Sequence, residues 1–381
     1  MLACAACAAP GVRPVELGLS PIEGGGIEGA PTEGKQADAA PWWRLAGDPV
    51  LEKLLDEGLA HDQALACDAH RLAKAEAAAR RRHPGSEIIH LFRPLRVPAG
   101  ASAQAYAHAA LVNRRAAAMA QAYLDARLAQ ARLTARREAI APWRDNAEIA
   151  RFRREAGLVS AIDGALGGVM VDLDDKALAS AETAFAAAVV HLAGETGLAQ
   201  DAVIAALVPA SDAKEQHTDA IPAFAPLAQT LAQTAPRRAA LMAQRQSLSL
   251  AVLRHKTTAQ QARAALASAS AASAETIDSA AKALDAARAL SDGSARTLDQ
   301  AQRTVRDARL GYRAGSETFA TLYVAEASAL AAREADARAR HALALAHVRL
   351  WTAQGLGWSP ADLTADLTPA PVPAEAVKSC D

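Results

Sequence analysis

Arg151-Phe152-Arg153-Arg154-Glu155-Ala156-Gly157 and Arg309-Leu310-Gly311-Tyr312-Arg313-Ala314-Gly315 are two versions of one heptapeptide, 158 residues apart. Each closes a long stretch of helical periodicity and ends on Ala-Gly. A Gly there fits the left-handed C′ position that terminates an α-helix. Ser160 and Thr318 follow each Gly by three residues and predict the N-caps of returning helices. Upstream, Leu124-Asp125-Ala126 and Leu284-Asp285-Ala286 align at an offset of 160. The expectation is a mostly α-helical fold of two duplicated, long, antiparallel coiled-coil hairpins. Chance similarity between Ala/Arg-rich helices is the competing reading, and Ala-Gly at both turns speaks against it.

Outward from these turns, apolar periodicity predicts helices over about 101–141, 175–194, 223–245, 258–313 and 317–354. The 101–141 helix carries two adjacent stripes: Met119, Tyr123 and Ala126, then Leu124, Leu128 and Ala131. Two stripes suit a helix with neighbours on both sides, as in a closed ring of helices. Forty residues of helix span roughly 60 Å, too long for the interior of a small globular domain. Earlier in the chain, Asp48-Pro49 is a strong helix start, with Asp as N-cap and Pro at the first helical position. One periodic pattern runs from there to Arg80-Arg81-Arg82, and His83-Pro84-Gly85 ends it.

Composition agrees. Of 381 residues, 103 are Ala and only 4% are aromatic. Such a chain cannot fill a thick core with large side chains, but it can build long helices whose backbones approach closely. With 41 basic and 42 acidic residues, it has neither the footprint of a nucleic-acid binder nor that of a polyanionic disordered chain. No unbroken apolar run reaches 18 residues, which argues against a transmembrane helix. Four Cys in this length are not a disulfide scaffold.

The division that follows is 1–41 as a signal remnant and extended Pro/Gly-rich segment, 42–208 and 209–358 as the two hairpin repeats, and 359–381 as a disordered, Pro-punctuated tail. Cys7, after Ala5 and Ala6, resembles the acceptor of a bacterial lipobox, with Cys4 as a second candidate. The competing reading is a small-residue N-terminus with incidental cysteines. His61, Cys67, Asp68 and His70 have the wrong spacing for a closed metal site. Asp172, Asp174 and Asp175 lack the ligand spacing of a calcium loop and read as a solvated loop at a helix start. No nucleophile motif, phosphate loop or dinucleotide fingerprint occurs, so no cofactor, metal or catalytic activity is expected.

Several blocks resemble the TolC-type outer-membrane efflux channel family, and its lipoprotein branch in particular. They are Trp42-Trp43-Arg44-Leu45-Ala46-Gly47-Asp48-Pro49, Ala120-Gln121-Ala122-Tyr123-Leu124-Asp125, Pro236-Arg237-Arg238, Tyr312-Arg313-Ala314-Gly315 and the end Trp351 to Trp358. The resemblance spans roughly 41–358. It implies a homotrimer whose long helices form a periplasmic α-barrel beneath a shared outer-membrane β-barrel. It also implies docking to a periplasmic adaptor (membrane fusion) protein and an inner-membrane efflux pump. The chain would then be the passive exit duct of a tripartite system, in the outer membrane with most of its length in the periplasm.

The family's adaptor-contacting tips map onto Gly157, Leu158, Ser160 and Asp163 in the first repeat and Gly315, Glu317 and Thr318 in the second, with Glu317 facing the duct mouth. The slots for membrane strands, 83–100 and 246–258, are short for two spanning strands each. This points to a reduced or absent β-barrel, and to the alternative of a barrel-poor periplasmic helical protein that docks an adaptor without conducting.

Overall fold

In the computed structural model the described residues are 41–82, 99–159, 161–208, 221–224, 256–355 and the isolated positions 244, 247, 248, 251 and 380. Eight helices occur among them: α1 (Trp42–Leu45), α2 (Pro49–His61), α3 (Gln63–Arg82), α4 (Ala99–Glu155), α5 (Ala161–Thr196), α6 (Gln200–Leu207), α7 (Ala259–Ala314) and α8 (Phe319–Gln354). There is no strand among the described residues.

The duplication is visible in lengths. The outgoing helices α4 and α7 have 57 and 56 residues, and the returning helices α5 and α8 have 36 each. A second pair of positive-φ glycines, Gly197 and Gly355, closes the returning helices at the same 158-residue offset as Gly157 and Gly315. Helix α4 packs along α5, α7 along α8, and the two hairpins meet chiefly through α4 and α8. The lateral order is therefore α5, α4, α8, α7, with α5 and α7 on the flanks.

Several boundaries differ from expectation for physical reasons. Helix α4 does not stop near residue 141; it continues through Pro142 to Glu155. Pro142 removes one intrahelical hydrogen bond, but packing against α5 and α8 on either side holds the helix together. Helix α5 starts at 161 instead of 175, and so contains Gly164, Gly167 and Gly168. Gly167 is there for packing: a Cβ would sit 3.2 Å from both Cα and Cβ of Ala147 on α4. Asp172, Asp174 and Asp175 therefore lie inside α5, not in a loop.

The single helix expected over 49–82 is two. At Asp62 the backbone leaves the helical region (φ −71°, ψ 108°), and its carboxylate accepts from Leu65 N at 3.0 Å. The predicted cap at Asp48 is present, accepting from Val50 N and Leu51 N at 2.9 and 3.1 Å. The helix expected over 223–245 falls almost wholly outside the described residues. Its first two described residues, within 221–224, are not helical.

Among the described residues the apolar side chains form two main cores and a minor cluster at Ala109 and Ala110. The larger lies at the end away from the tips. There Trp42, Trp351 and Phe224 meet with ring centroids 5.3–5.6 Å apart, over Leu51, Leu54, Leu55, Met119, Leu124 and Leu207. It contains a buried polar chain: Tyr123 donates to Asp48 Oδ2 at 2.6 Å, Arg127 Nε donates to Tyr123 Oη at 2.9 Å, and Arg127 also reaches the Leu207 carbonyl at 3.1 Å. Met119, Tyr123, Leu124 and Ala126, from both stripes of α4, are fully buried within this one chain. Leu128 and Ala131, the rest of the second stripe, are partly buried against the same core, so most of both stripes is covered within the chain.

The smaller core sits at the tips and joins Ala150, Val305, Ala308, Tyr312, Phe319 and Leu322. One cross-link adds to these contacts: Cys67 of α3 is disulfide-bonded to Cys380, 313 residues on. A count of four cysteines pointed to no such pairing.

Two adjacent glycines give a contrast. Gly167→Val is expected to destabilise by about 1–3 kcal/mol through overpacking on Ala147. A Cβ placed at Gly168 would meet nothing within 4 Å, so Gly168→Ala should stabilise by about 0.5–1 kcal/mol. Urea melts followed by circular dichroism at about 222 nm, the α-helix band, test both; equal effects would show that α5 and α4 are not in close contact at Gly167.

Candidate functional site: the hairpin tips

Both turns are built by the same backbone motif. At the first, Gly157 (φ 71°) donates to Arg154 O at 2.9 Å and Leu158 N to Arg153 O at 2.8 Å. At the second, Gly315 (φ 77°) donates to Tyr312 O at 3.1 Å and Ser316 N to Gly311 O at 3.0 Å. These are paired Schellman closures, and they satisfy carbonyls that a helix end leaves open. Such a closure usually packs its C″ side chain back on the third residue from the helix end. In the first tip that residue is Arg153, and Leu158 at C″ stays 74% exposed. An apolar side chain without local cover at the far end of a hairpin is what a docking contact would use.

The second tip differs. Glu317 is exposed and folds over Gly311, where a Cβ would lie 2.5 Å from its Cγ. Thr318 caps α8, its Oγ1 accepting from Thr321 N at 3.1 Å. Gly157, Leu158, Gly315, Glu317 and Thr318 thus occupy turn positions. Asp163 lies in the first turn of α5. Ser160 and Cys7 lie outside the described residues, as do 83–98 of the first strand slot and 246, 249, 250 and 252–255 of the second. The described positions 247, 248 and 251 of the second slot are helical, not strand.

The structure also brings the two tips together through Arg153, a residue that no motif in the sequence singles out. Arg153 donates to the Tyr312 carbonyl at 3.1 Å, and its guanidinium lies 4.4 Å from the Tyr312 ring centroid. A cation over an aromatic face and at a helix C-terminus is favourable on both counts. The cue was present in the repeat itself, since Arg153 aligns with Gly311, but pairing across 159 residues is not readable from periodicity.

Above the tips the seam between hairpins is polar. Glu326 of α8, 5% exposed, accepts from Asn146 Nδ2 at 3.1 Å and from Arg309 Nε at 2.9 Å. Glu334 pairs with Arg136 at 2.6 Å. Beside them, Asp174 of α5 turns a carboxylate oxygen inward with no hydrogen-bond partner, next to Trp143, Asn146 and Tyr323. Burial pushes its carboxyl up to about 6, with Asp175 adding to the rise and Arg136 opposing it.

The residues with metal-ligating chemistry near the start of α3 are otherwise engaged. Cys67 is in the disulfide, Asp68 accepts from His108 at 2.9 Å, and the His61 ring contacts the Glu57 carbonyl. No cluster of three ligand-type residues occurs among the described residues. Helix α5 over Ala165–Thr196 is long and apolar enough to cross a membrane by length and composition, although it lacks an unbroken apolar run. Little of it is buried in the chain, and Val169, Leu173 and Val190 are more than half exposed.

No family sequence model matches the chain, and no curated protein matches it by sequence. Solved structures do. The outer-membrane channel OprN superposes with a TM-score of 0.65 at 15% identity, over 87% of this chain and 95% of that one. The outer membrane protein VceC from Vibrio cholerae gives 0.63 at 14% identity, over 84% and 99%. The CmeC outer membrane channel of Campylobacter jejuni gives 0.62 at 12% identity, over 87% and 91%. The chain has the TolC-like fold.

Asp174 generates a pH prediction. Its folded value is raised above the unfolded 3.8, so the native state binds the proton more tightly. Stability is then greatest below about pH 4 and falls as pH rises towards 6. Asp174→Asn should remove that slope and raise stability near neutral pH by about 1 kcal/mol, allowing for solvent screening of a partly exposed group. Parallel pH-dependent melts of the two proteins measure it. Identical slopes would mean the carboxylate is fully hydrated.

Proposed function

We propose that this chain is the outer-membrane channel component of a tripartite efflux system, a passive exit duct that docks a periplasmic adaptor and thereby an inner-membrane pump. The observation that carries the reading is the TolC-like fold with two equal hairpins, shared with outer-membrane channels along most of their length. A four-helix layer with two open flanks is an incomplete object. Val169, Leu173 and Val190 on α5 and Leu290 on α7 expose apolar surface there. Joining the α7 flank of one copy to the α5 flank of the next is a heterologous contact that closes into a ring. Three copies give the homotrimer that the family resemblance implies, and the Cys67–Cys380 disulfide fits an oxidising compartment such as the periplasm. In this reading Cys7 is the lipid attachment site, and Gly157, Leu158, Ser160, Asp163, Gly315, Glu317 and Thr318 line the adaptor-facing tips.

The second reading is a periplasmic helical protein that docks an adaptor without conducting. It is favoured by the 16 residues between α3 and α4, fewer than two spanning strands and a turn require. Planar-bilayer conductance on the purified protein, with its sedimentation mass, separates the two. Discrete conductance from a species three times 39.5 kDa supports the duct. A species that does not conduct, whether a trimer or a monomer of 39.5 kDa, overturns the duct and leaves the second reading.

The tip assignment has its own test. Leu158 needs no special dihedral and is exposed, so Leu158→Asp should leave helix content unchanged. It should still weaken adaptor docking by about 1–3 kcal/mol through a desolvated charge. Gly157→Val should damage folding as well, because a β-branched residue resists positive φ. Full adaptor crosslinking and full drug export by Leu158→Asp cells would reduce the tip to a structural turn.

A further inference from the structure

The two hairpins enclose a groove above the tips. Its volume is about 350 Å³, enough for a small organic molecule. Helix α8 is its floor, with Ala329 and Leu330; α4 supplies Pro142 and Trp143 on one side, and α7 supplies Val305 and Arg306 on the other. Glu138 lines it too. Pro142 has no N–H to return to the Glu138 carbonyl, so the groove opens where α4 lacks one of its hydrogen bonds. No residue of α5 takes part. The groove therefore opens on a broad face of the layer, across three adjacent helices, whereas the proposed ring of copies closes at the layer's edges.

Five charged side chains line the groove: Glu138, Glu326, Arg306, Arg309 and Arg333. Four of them cancel in pairs. Arg333 donates to Glu138 at 2.8 Å, and Arg309 Nε donates to Glu326 at 2.9 Å. Arg306 has no carboxylate partner among the described residues. Of its neighbours on α7, Arg303 is held by Asp299. Asp307 lies about 100° further round the helix and does not line the groove. What remains is an apolar trough with one uncompensated positive charge.

We propose that this groove binds a small aromatic monocarboxylate, its carboxylate on the Arg306 guanidinium and its ring against Pro142, Trp143 and Leu330. A guanidinium meets a carboxylate with two parallel N–H donors, which favours that anion over a spherical one. The Trp143 ring and the guanidinium groups of Arg309 and Arg333 favour an aromatic body over an aliphatic one. Glu138 and Glu326 set a limit on ligand charge, because a second anionic group would meet their carboxylates with no free cation left. A ligand seated here touches α4 and α7 at once, helices of different hairpins with α8 between them. Its binding ties the hairpins together above the tips. The inference stands on the groove alone and holds for a conducting trimer and a non-conducting protein alike.

The test is isothermal titration calorimetry on the full-length protein in detergent, with a micelle blank subtracted. Three probes share one ring system: naphthoate, the neutral naphthylmethanol and naphthalenedicarboxylate. Naphthoate should bind once per chain, with a dissociation constant on the order of 0.1–1 mM for a ligand of this size. The alcohol should bind about tenfold more weakly, and the dicarboxylate more weakly than naphthoate. Arg306→Gln should cost naphthoate about tenfold and leave the alcohol unchanged, so that the two become equal. Ala139, on the α4 wall, is the site of a blocking variant: Ala139→Phe fills the groove and should abolish binding of both.

Should Ala139→Phe lower helix content, Ala139→Met takes its place. The proposal is overturned if naphthoate does not bind the parent protein, or binds no better than the alcohol or the dicarboxylate. It is overturned equally if Arg306→Gln leaves the naphthoate affinity unchanged, or if the blocking variant still binds, which would put the probe at another site. No conductance, adaptor or export measurement enters, so failure here leaves the proposed function standing, and failure of that reading leaves this one readable.

Discussion

The seam between α4 and α8 is the constraint on which the rest of the molecule depends, because it is where one hairpin meets the other. It carries buried charge as well as apolar contacts. Glu326, Glu334 and Asp336 are all buried on α8, and their partners come from three helices: Asn146 and Arg136 from α4, Arg309 and Ser294 from α7, and Arg340 from α8 itself. Two smooth Ala-rich helices could slide along each other at little cost. The carboxylates that reach across to α4 resist this, since a one-turn slip would take Glu334 away from Arg136 and Glu326 away from Asn146, at several kcal/mol per buried charge left unpaired.

Around the seam the stabilising forces are divided by position. The tryptophan cluster and the Asp48–Tyr123–Arg127 chain lock the end away from the tips, where α1, α2 and α6 wrap the long helices. The tip end has only the small core and the Arg153–Tyr312 contact. Between them, surface pairs such as Arg137–Glu182 and Arg144–Asp175 tie α5 to α4, and each is exposed and individually weak. A hairpin anchored firmly at its base and lightly at its tip has its softest contacts where a partner would arrive, because few buried apolar contacts mean low local stability. The exposed Leu158, Phe152 and Leu310 belong to that same end.

Much of the architecture was legible in one dimension. The heptapeptide ending at Gly157 and again at Gly315 carried the duplication, the turns and the antiparallel hairpins, because a left-handed C′ position is a local demand that only a few residue types meet. Asp48 and Thr318 announced their caps for the same reason. Local rules failed where packing overrode propensity. The expected helices stopped near 141 and began near 175, yet Pro142 and Gly167-Gly168 lie inside helices, the first clamped by neighbours and Gly167 needed for close approach to Ala147. The stripes of α4 read as surfaces awaiting other copies, and the wrapping of α2 and α6 covers most of both within the chain.

By itself, then, the sequence determined the helical character, the two-fold internal repeat, the turns and the residues at their tips, all of which follow from dihedral limits and periodicities a few residues long. Only the tertiary structure decided that Arg153 bridges the tips, that Cys67 pairs with Cys380, that three carboxylates of α8 lie buried against arginines, and that Asp174 points inward without a hydrogen-bond partner. Those facts depend on which residues from distant helices come into contact with one another. Helical periodicity assigns each residue to a face, but not the neighbour that the face meets.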